Sequence, residues 1–512
     1  MIAVPTAAVP LGRLSAVVFM AGVGALATEI AASRLLAPYF GNSTVVWANV
    51  IGLVLASLSL GYWLGGRLAD RRPDPRLLGA VVAAAAVMVA ATPFLARPFL
   101  ELTVEGLDDV STGAAIGSFF GVLILFAPPV TLLGMVAPFA IRLALVTVES
   151  AGAVAGRLYA LSTIGSLLGT FLSALIAIPL IGTQRTLLLS AALLAVAGAT
   201  LLGVRWLALG AALAALLAFP PGAVKASEGV IHEDESLYQF VQVTERDGAR
   251  RLYLDEGVAV HSVWRAEDVL TGGVWDTFLA LPPLLGRPLE RVAILGNAGG
   301  TTARAMGVYY PNAEIDGVEL DPAVTEVGRR YLGLDDNPRL HVHTADARPF
   351  LRRSAGGYDL IVVDAYRPPY VPFYLATREF FELVRERLAP GGIVALNVAS
   401  VPDDTRLAEG IATTVAAEFP AVWTWQALRF NQIVVGLTRE LPRSEIERRL
   451  SAVRGDLAPL THLAARDFTP ARTSGDPWTD DHAPVEWITD RMIVEYAAEG
   501  GRLDETPLPT AP

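Results

Sequence analysis

Residues 291–320 read RVAILGNAGGTTARAMGVYYPNAEIDGVEL, and the second half of the chain is organised around them. The apolar run Val292–Leu295 breaks into a Gly-rich turn at Gly296, Gly299 and Gly300, and a helical pattern follows. A second apolar strand then ends in Glu319. Strand, Gly-rich turn, helix, strand and acid, in that order, form the first half of a doubly wound nucleotide-binding fold. Glycines let the backbone approach a ligand, and a carboxylate about twenty residues on is placed to bind both hydroxyls of a ribose.

Working outward, the pattern continues. Asp321-Pro322 opens a helix to about Tyr331, Leu340–Thr344 is a strand followed by Asp346, and Tyr358–Asp364 (YDLIVVD) is a buried strand. A helix over 377–388 and a strand over Ile393–Asn397 follow, joined by Pro390-Gly391-Gly392. Such alternation predicts a mostly parallel sheet covered by helices on both faces, with the ligand across the carboxyl ends of the strands. Glu319, Asp346 and Asp364 all fall at those ends. Each alone reads equally well as a helix cap or a loop acceptor. Three of them beside one Gly-rich turn favour a nucleoside site. Upstream, residues 230–263 alternate apolar and polar positions about a turn at Asp247-Gly248, predicting a small β hairpin or meander, and a helix is expected from about Asp268 to Leu285.

The first half is different in kind. The chain has 512 residues and a mean hydropathy of +0.45, too long and too apolar for one soluble domain. Seven nearly uncharged stretches are each long enough, or nearly so, to cross a hydrocarbon core of roughly 30 Å. They run from Leu14 to Leu36, Val45 to Gly66, Leu77 to Leu95, Ala114 to Ile141, Leu158 to Ile181, Thr186 to Val204 and Trp206 to Val224. The fourth contains Pro128, Pro129 and Pro138, which threaten its continuity. The domains expected are a transmembrane bundle over 1–226, a small β unit over 227–265, an α/β Rossmann-like domain over 266–498 and a disordered tail over 499–512. Arg67, Arg71, Arg72 and Arg76 cluster between the second and third spans, which puts that loop and the N-terminus in the cytoplasm. Seven spans would then place the second half outside, but the supply of a nucleoside cofactor favours the cytoplasm, which is the side expected. Glu29, inside the first span, either lines a polar path or pairs near an interface, with Arg34 or another helix.

Charge narrows the partners. Residues 1–227 carry 12 Lys/Arg and 8 Asp/Glu, net +4, and the remainder carries 28 and 43, net −15. So acidic a second half argues against nucleic acid. With no cysteine there is neither disulfide framework nor thiolate nucleophile, and the six histidines lack ligand-like spacing, so no metal is expected.

From about Gly229 to Ala498 the chain resembles the spermidine synthases (polyamine aminopropyltransferases), and as a whole it resembles the bacterial membrane-fused members of that group. The matching pieces are ESLYQFVQV at 235–243, LYLDEG at 252–257, ILGNAGGTTAR at 294–304, DGVELDP at 316–322, TADARPF at 344–350, YDLIVVDAY at 358–366, VPFYLATREFF at 371–381, LAPGGIVALN at 388–397 and WTDDHAPVE at 478–486. The resemblance implies decarboxylated S-adenosylmethionine, or S-adenosylmethionine itself, as co-substrate. Glu319 would hold its ribose, Asp346 with Ala347 the adenine edge, and Gly296, Asn297, Ala298, Gly299 and Gly300 the sulfonium side chain. Gln239 would line the cleft, and Asp364 would take the proton of the attacking amine. The partners implied are a small-molecule amine or related acceptor, the bilayer and a second copy of the chain. Three positions depart from the family. Ala298 and Arg367 stand where the enzymes carry aspartates, and Val274, beside Trp275 and Asp276, stands near a tyrosine position. Loss of two acids disfavours a diamine and suits a ligand bearing a carboxylate. Competing readings are therefore another S-adenosylmethionine-consuming enzyme, such as a methyltransferase, and a nucleoside-sensing membrane transporter. His261, Tyr366, Arg367 and Tyr370 are weaker candidates for the acceptor pocket, with Phe373 and Tyr374 in the same aromatic cluster, and His482 is a further polar candidate.

Overall fold

The structure, a computed structural model, describes residues 9–499 apart from 42–43, 106–109, 146, 220–221, 223, 226–227, 256–258 and 368–369. Most of the expected tail thus lies outside the described residues. The chain divides into two compact units: Met1–Ala226 with Glu233–Phe240, and Ser227–His232 with Val241–Pro512.

The first unit is helical. Six helices are long and apolar enough to cross a membrane: Leu11–Phe40, Thr44–Arg71, Pro75–Thr103, Ile116–Ala144, Ala151–Ile181 and Thr183–Leu202. The seventh expected span is a shorter apolar helix, Val204–Ala218. Gly203, at φ 112°, ends the sixth helix, and the short one turns back along it, with Gly210 against Val196 and Ala192. Glycines allow the tightest helix contacts. A Cβ at Gly165 would stand 2.2 Å from the carbonyl oxygen of Phe19, and one at Gly61 2.3 Å from that of Thr131. Prolines do not break the fourth span. A π-helical stretch, Val122–Phe126, precedes Pro128 and Pro129, and a turn at Met135 precedes Pro138. Each relieves the clash a proline makes with the carbonyl four residues back.

In the second half, β1 (Val230–Glu235), β2 (Phe240–Arg246), β3 (Ala249–Leu254) and β4 (Val260–Arg265) form a four-stranded meander. Positive φ at Asp247 and Gly248 makes the two-residue turn between β2 and β3 match strand twist. The inner face of the meander (Val243, Leu252, Leu254) packs on Val324, Val327 and Leu332 around the helix Pro322–Tyr331.

The larger sheet has the order β12-β10-β11-β9-β8-β5-β6-β7. Strands β5 (Arg291–Leu295), β6 (Glu314–Glu319), β7 (Leu340–Thr344), β8 (Tyr358–Val363) and β9 (Leu388–Ala399) run parallel. Strands β10 (Ala421–Leu428), β11 (Asn431–Leu437) and the short β12 (Thr469–Pro470) are antiparallel additions. Val292 and Ile294 of β5 join one core, with Met306 and Leu285; Ala293 and Leu295 join the other, with Leu351 and Phe380. Helices therefore cover both faces, as the sequence predicts for a Rossmann-like fold. The helix expected over Asp268–Leu285 is instead a helical turn, Val274–Thr277, and two 3-10 segments. Gly272-Gly273 and Pro282-Pro283 interrupt the backbone hydrogen-bonding such a helix needs. Val274 is buried in the core there, 8% exposed.

Candidate active site

From β5 the chain passes to β6 and β7 on one side, and β8 and β9 lie on the other, so the sheet reverses its winding at β5/β8. Ligands of doubly wound sheets sit at such a switch point. Gly296 occupies it. At φ 92° it is in the left-handed region, and a Cβ there would lie 2.5 Å from the backbone of Ala365. Backbone N–H groups of Gly296 and Asn297 both donate to the Val318 carbonyl at 2.9 Å, bracing the loop against β6. Gly299 N–H donates to Ser262 Oγ at 2.8 Å, and Gly300, at φ 86°, starts the helix Thr301–Tyr309. Ala298 also has positive φ, 44°, which a non-glycine residue adopts at a cost.

Glu319 reaches back to this loop. Its Oε2 accepts from Ala298 N–H at 2.9 Å and its Oε1 from Asp321 N–H at 3.0 Å. Burial raises its carboxyl from 4.5 to about 7, against those backbone hydrogen bonds. Asp346 caps the helix Ala347–Arg353 through Arg348 N–H, and its Oδ2 accepts from the Tyr374 hydroxyl at 3.1 Å. Ala347 is its buried first residue. Asp346 is thus a helix cap whose second oxygen is held by Tyr374.

Asp364 follows β8 directly. Its backbone N–H donates to Leu295 O at 2.8 Å, and its Oδ1 accepts from Asn397 Nδ2 at 2.9 Å. Asn397 Oδ1 accepts in turn from Asn431 Nδ2, 2.9 Å, and its carbonyl from the Tyr366 hydroxyl, 3.0 Å. Burial raises the Asp364 carboxyl from 3.8 to about 7. Burial and the Asp364 charge together push the Tyr366 phenol well up, so Tyr366 stays a neutral donor.

The weaker candidates separate. Tyr370 is buried and donates its hydroxyl to Asp490, on the helix Val485–Ala498. Arg367 is exposed and pairs with Tyr370 through backbone hydrogen bonds of 2.8 Å. Phe373 is 43% exposed, and His482 closes an exposed turn with Thr479. His261 is the residue by which β4 exceeds β3, since Leu252 pairs with Ser262 and Tyr253 with Val260. Its Nε2 is buried without a hydrogen-bond partner, and desolvation lowers its pKa to about 4. Gln239 precedes β2 and groups with the helical unit, its carbonyl accepting from Ser236. Asn297 turns its side chain under the loop, against Gly317, with both polar atoms unpartnered among the described residues.

Sequence reading missed Asn397, Asn431 and Ser262 as supports, and also the clamp of the closing motif. There Asp480 takes a bidentate pair from Arg348 (2.7 and 2.8 Å) and a bond from Thr377. A polar residue inside the apolar run IVALNVA was the one available signal for Asn397.

Residues 277–425 match the spermine/spermidine synthase domain. The chain is 36% identical over 189 residues to a probable polyamine aminopropyl transferase of Bifidobacterium longum, covering 37% of this chain and 42% of that protein. Against the polyamine aminopropyltransferase of Vibrio vulnificus it is 28% identical over 241 residues, 45% of this chain and 79% of the other. Among solved structures, a probable spermidine synthase from Corynebacterium glutamicum aligns with a TM-score of 0.40 at 19% identity, over 55% of this chain and 99% of that one. On the matched residues, the second half of the chain is similar in sequence to the spermine/spermidine synthase domain and to polyamine aminopropyltransferases, and it spans less than half the length of the Bifidobacterium relative.

Proposed function

We propose that this protein is a membrane-bound transferase that moves an aminopropyl group from decarboxylated S-adenosylmethionine, or a close sulfonium relative, to an amine. The observation that carries the reading is the convergence of Glu319, Asp346 and Asp364 at the ends of β6, β7 and β8, around the Gly296–Gly300 loop and within the matched residues. The donor set suits an adenosyl ligand: a carboxylate for ribose hydroxyls at Glu319, another for an exocyclic amine at Asp346, and an orphaned buried amide at Asn297. In the reaction a neutral amine nitrogen forms a bond to the carbon beside the sulfonium, the C–S bond breaks, and the thioether leaves with the electron pair. The surplus amine proton passes to Asp364. A carboxyl raised to about 7 is a better general base near neutrality than an ordinary aspartate. Positioning supplies the rest.

Ala298 and Arg367 favour a second reading, in which the sulfonium ligand or the acceptor bears a carboxylate. The test is product analysis of purified protein given putrescine with either S-adenosylmethionine or its decarboxylated form. Aminopropylated amine from the decarboxylated form supports the first reading. Turnover of S-adenosylmethionine alone supports the second, and turnover of neither defeats both. Ala298→Asp, which restores the acid of the family pattern, should raise turnover of a diamine.

Internal contacts of the helical unit support an extracytoplasmic exit of the chain. Helix directions put Arg13, Arg67, Arg71, Arg72, Arg76, Arg142, Arg157 and Arg205 at one end of the bundle, against Arg34, Arg97, Arg185 and Lys225 at the other. Gly222, Val224 and residues 233–240 group with the second end. Tyr39 donates its hydroxyl to Val224 O at 2.6 Å, Gln184 Nε2 to Gly222 O at 3.4 Å, and Arg34 to Leu237 O. By the positive-inside rule the richer end is cytoplasmic. This ranks the span geometry above cofactor supply as a guide to sidedness.

A further inference from the structure

At the end of the helical unit where the chain leaves it, residues 178–185 close over a pocket of about 310 Å³ that no part of the proposed transferase site uses. Strand β1 contributes three consecutive carboxylates to its lining, Glu233, Asp234 and Glu235. Two of them are held in place: Glu233 Oε1 accepts from Val224 N–H at 2.9 Å, and Glu235 Oε2 from Thr183 N–H at 2.5 Å. Burial raises the Glu235 carboxyl, and hydrogen bonds from the Thr183 backbone and hydroxyl, followed by the neighbouring Arg34, counter this in part.

Acidic residues alone would say little, but two further lining groups point to a ligand. Gln184 is 7% exposed, and with its Nε2 directed to Gly222 O its Oε1 has no partner among the described residues. Thr183 is fully buried, and its Oγ1, which donates to the Glu235 carboxylate, accepts from no group among the described residues. A buried acceptor left unmade costs about 1–3 kcal/mol, so such atoms persist where something else satisfies them. Both can accept, and they stand beside carboxylates. The complementary ligand therefore carries positive charge and N–H donors. Among the described residues no acidic group is arranged to hold a metal ion. An extended organic cation fits better than a bare one, because Ile178, Leu180 and Val224 give the pocket an apolar wall along which methylenes can lie. Arg185 also lines the pocket and Arg34 lies beside Glu235, so both offset the carboxylates in part.

We infer that this pocket binds a linear primary alkylammonium, its charged nitrogen between Glu233 and Glu235 and its N–H groups on Gln184 Oε1 and Thr183 Oγ1. The inference stands apart from the transferase reading, since it uses none of Glu319, Asp346 or Asp364. Free diamines and the ethanolamine headgroup of a lipid share this chemistry, and the experiment separates them.

Full-length protein in phosphatidylcholine nanodiscs is titrated with putrescine in an Asp364→Asn background, so that turnover cannot contribute. Binding is expected, weakened about tenfold or more by Glu233→Gln and by Gln184→Leu. If putrescine fails to bind, or binds equally to both variants, the inference falls, with one exception. Suppression of the site by phosphatidylethanolamine nanodiscs, relieved by the same variants, assigns it to the lipid headgroup. A second readout needs no variant: carbodiimide modification of residues 233–235 in the unsubstituted chain should slow when putrescine or ethanolamine lipid is present. Unchanged modification with both overturns the inference. Failure of the transferase assay leaves these outcomes untouched.

Discussion

At the scale of single residues, the scaffold around Asp364, the proposed base, sets its protonation. Burial lifts its carboxyl from 3.8 to about 7, while the Asn397 amide on Oδ1 works in the opposite direction. Proton acceptance needs the carboxylate, so kcat/KM should rise with pH through about 7 and level off above it. Asn397→Ala removes a bond that favours the charged form, so the acid limb should move upward. A limb that stays near 4 in the unsubstituted protein would refute Asp364 as base. The same shift has a stability sign. The folded chain holds this proton more tightly than the unfolded chain, so the contribution of Asp364 is greatest below 3.8 and is lost as pH rises through about 7. Asp364→Asn should therefore abolish turnover yet raise the Tm above the unsubstituted value at pH 8, with the gain absent at pH 4. Asp364, Glu319 and Asp346 were legible in the sequence because each ends an apolar strand run. Asn397 and Asn431 were not, because their relation to Asp364 depends on β8, β9 and β11 lying side by side, which no local pattern states.

At the scale of elements, the Gly-rich loop is decided by close approach. Gly296 combines φ 92° with a position where a Cβ would lie 2.5 Å from the Ala365 backbone, directly after Asp364. Gly296→Ala must strain the loop or push β8 away from it. About 2–4 kcal/mol of stability should be lost, together with nucleoside binding, as denaturant unfolding and calorimetry would register. Ala298 is the contrasting case, because its positive φ comes with a partly buried side chain packed beside the meander core. Ala298→Gly should remain folded with equal or slightly higher stability, by up to about 1 kcal/mol. A marked loss would show that the methyl contact outweighs the backbone strain. The loop's glycines were readable from their spacing, as was the Asp247-Gly248 turn. The bulge that singles out His261 was not, since it exists only in the pairing of β4 with β3. The helix expected over Asp268–Leu285 failed for a local reason: apolar content was weighed above the paired glycines and prolines that punctuate it.

For the molecule as a whole, the open quantity is which side of the bilayer the second half occupies, and it turns on the short helix Val204–Ala218. At about 1.5 Å per residue its length falls short of a roughly 30 Å core, so hydropathy alone counts it weakly. Position counts it strongly. Gly210 packs on Val196 and Ala192 of the preceding helix, and Gln184, at the start of that helix, bonds to Gly222 beyond the short one. The pair is thus a complete hairpin, and the chain returns to the end from which the sixth long helix began. On the proposed reading, the arginines at the opposite end then set the parity. The chain has no native thiol, so single cysteines report position directly. Ser400 is 5% exposed and bonded to Gln426, and labels poorly. Ser451→Cys, at the exposed end of the helix Arg443–Ser451, and Thr147→Cys, exposed between the fourth and fifth long helices, are better placed. A membrane-impermeant maleimide applied to intact cells should label Ser451→Cys and spare Thr147→Cys. The reverse pattern would mean that Val204–Ala218 does not cross or that the arginines misreport the inside, and would return the second half to the cytoplasm. If the expected pattern holds, the sulfonium substrate has to be supplied on the outer side. Addition of S-adenosylmethionine or its decarboxylated form to intact, washed cells should then give product without permeabilisation.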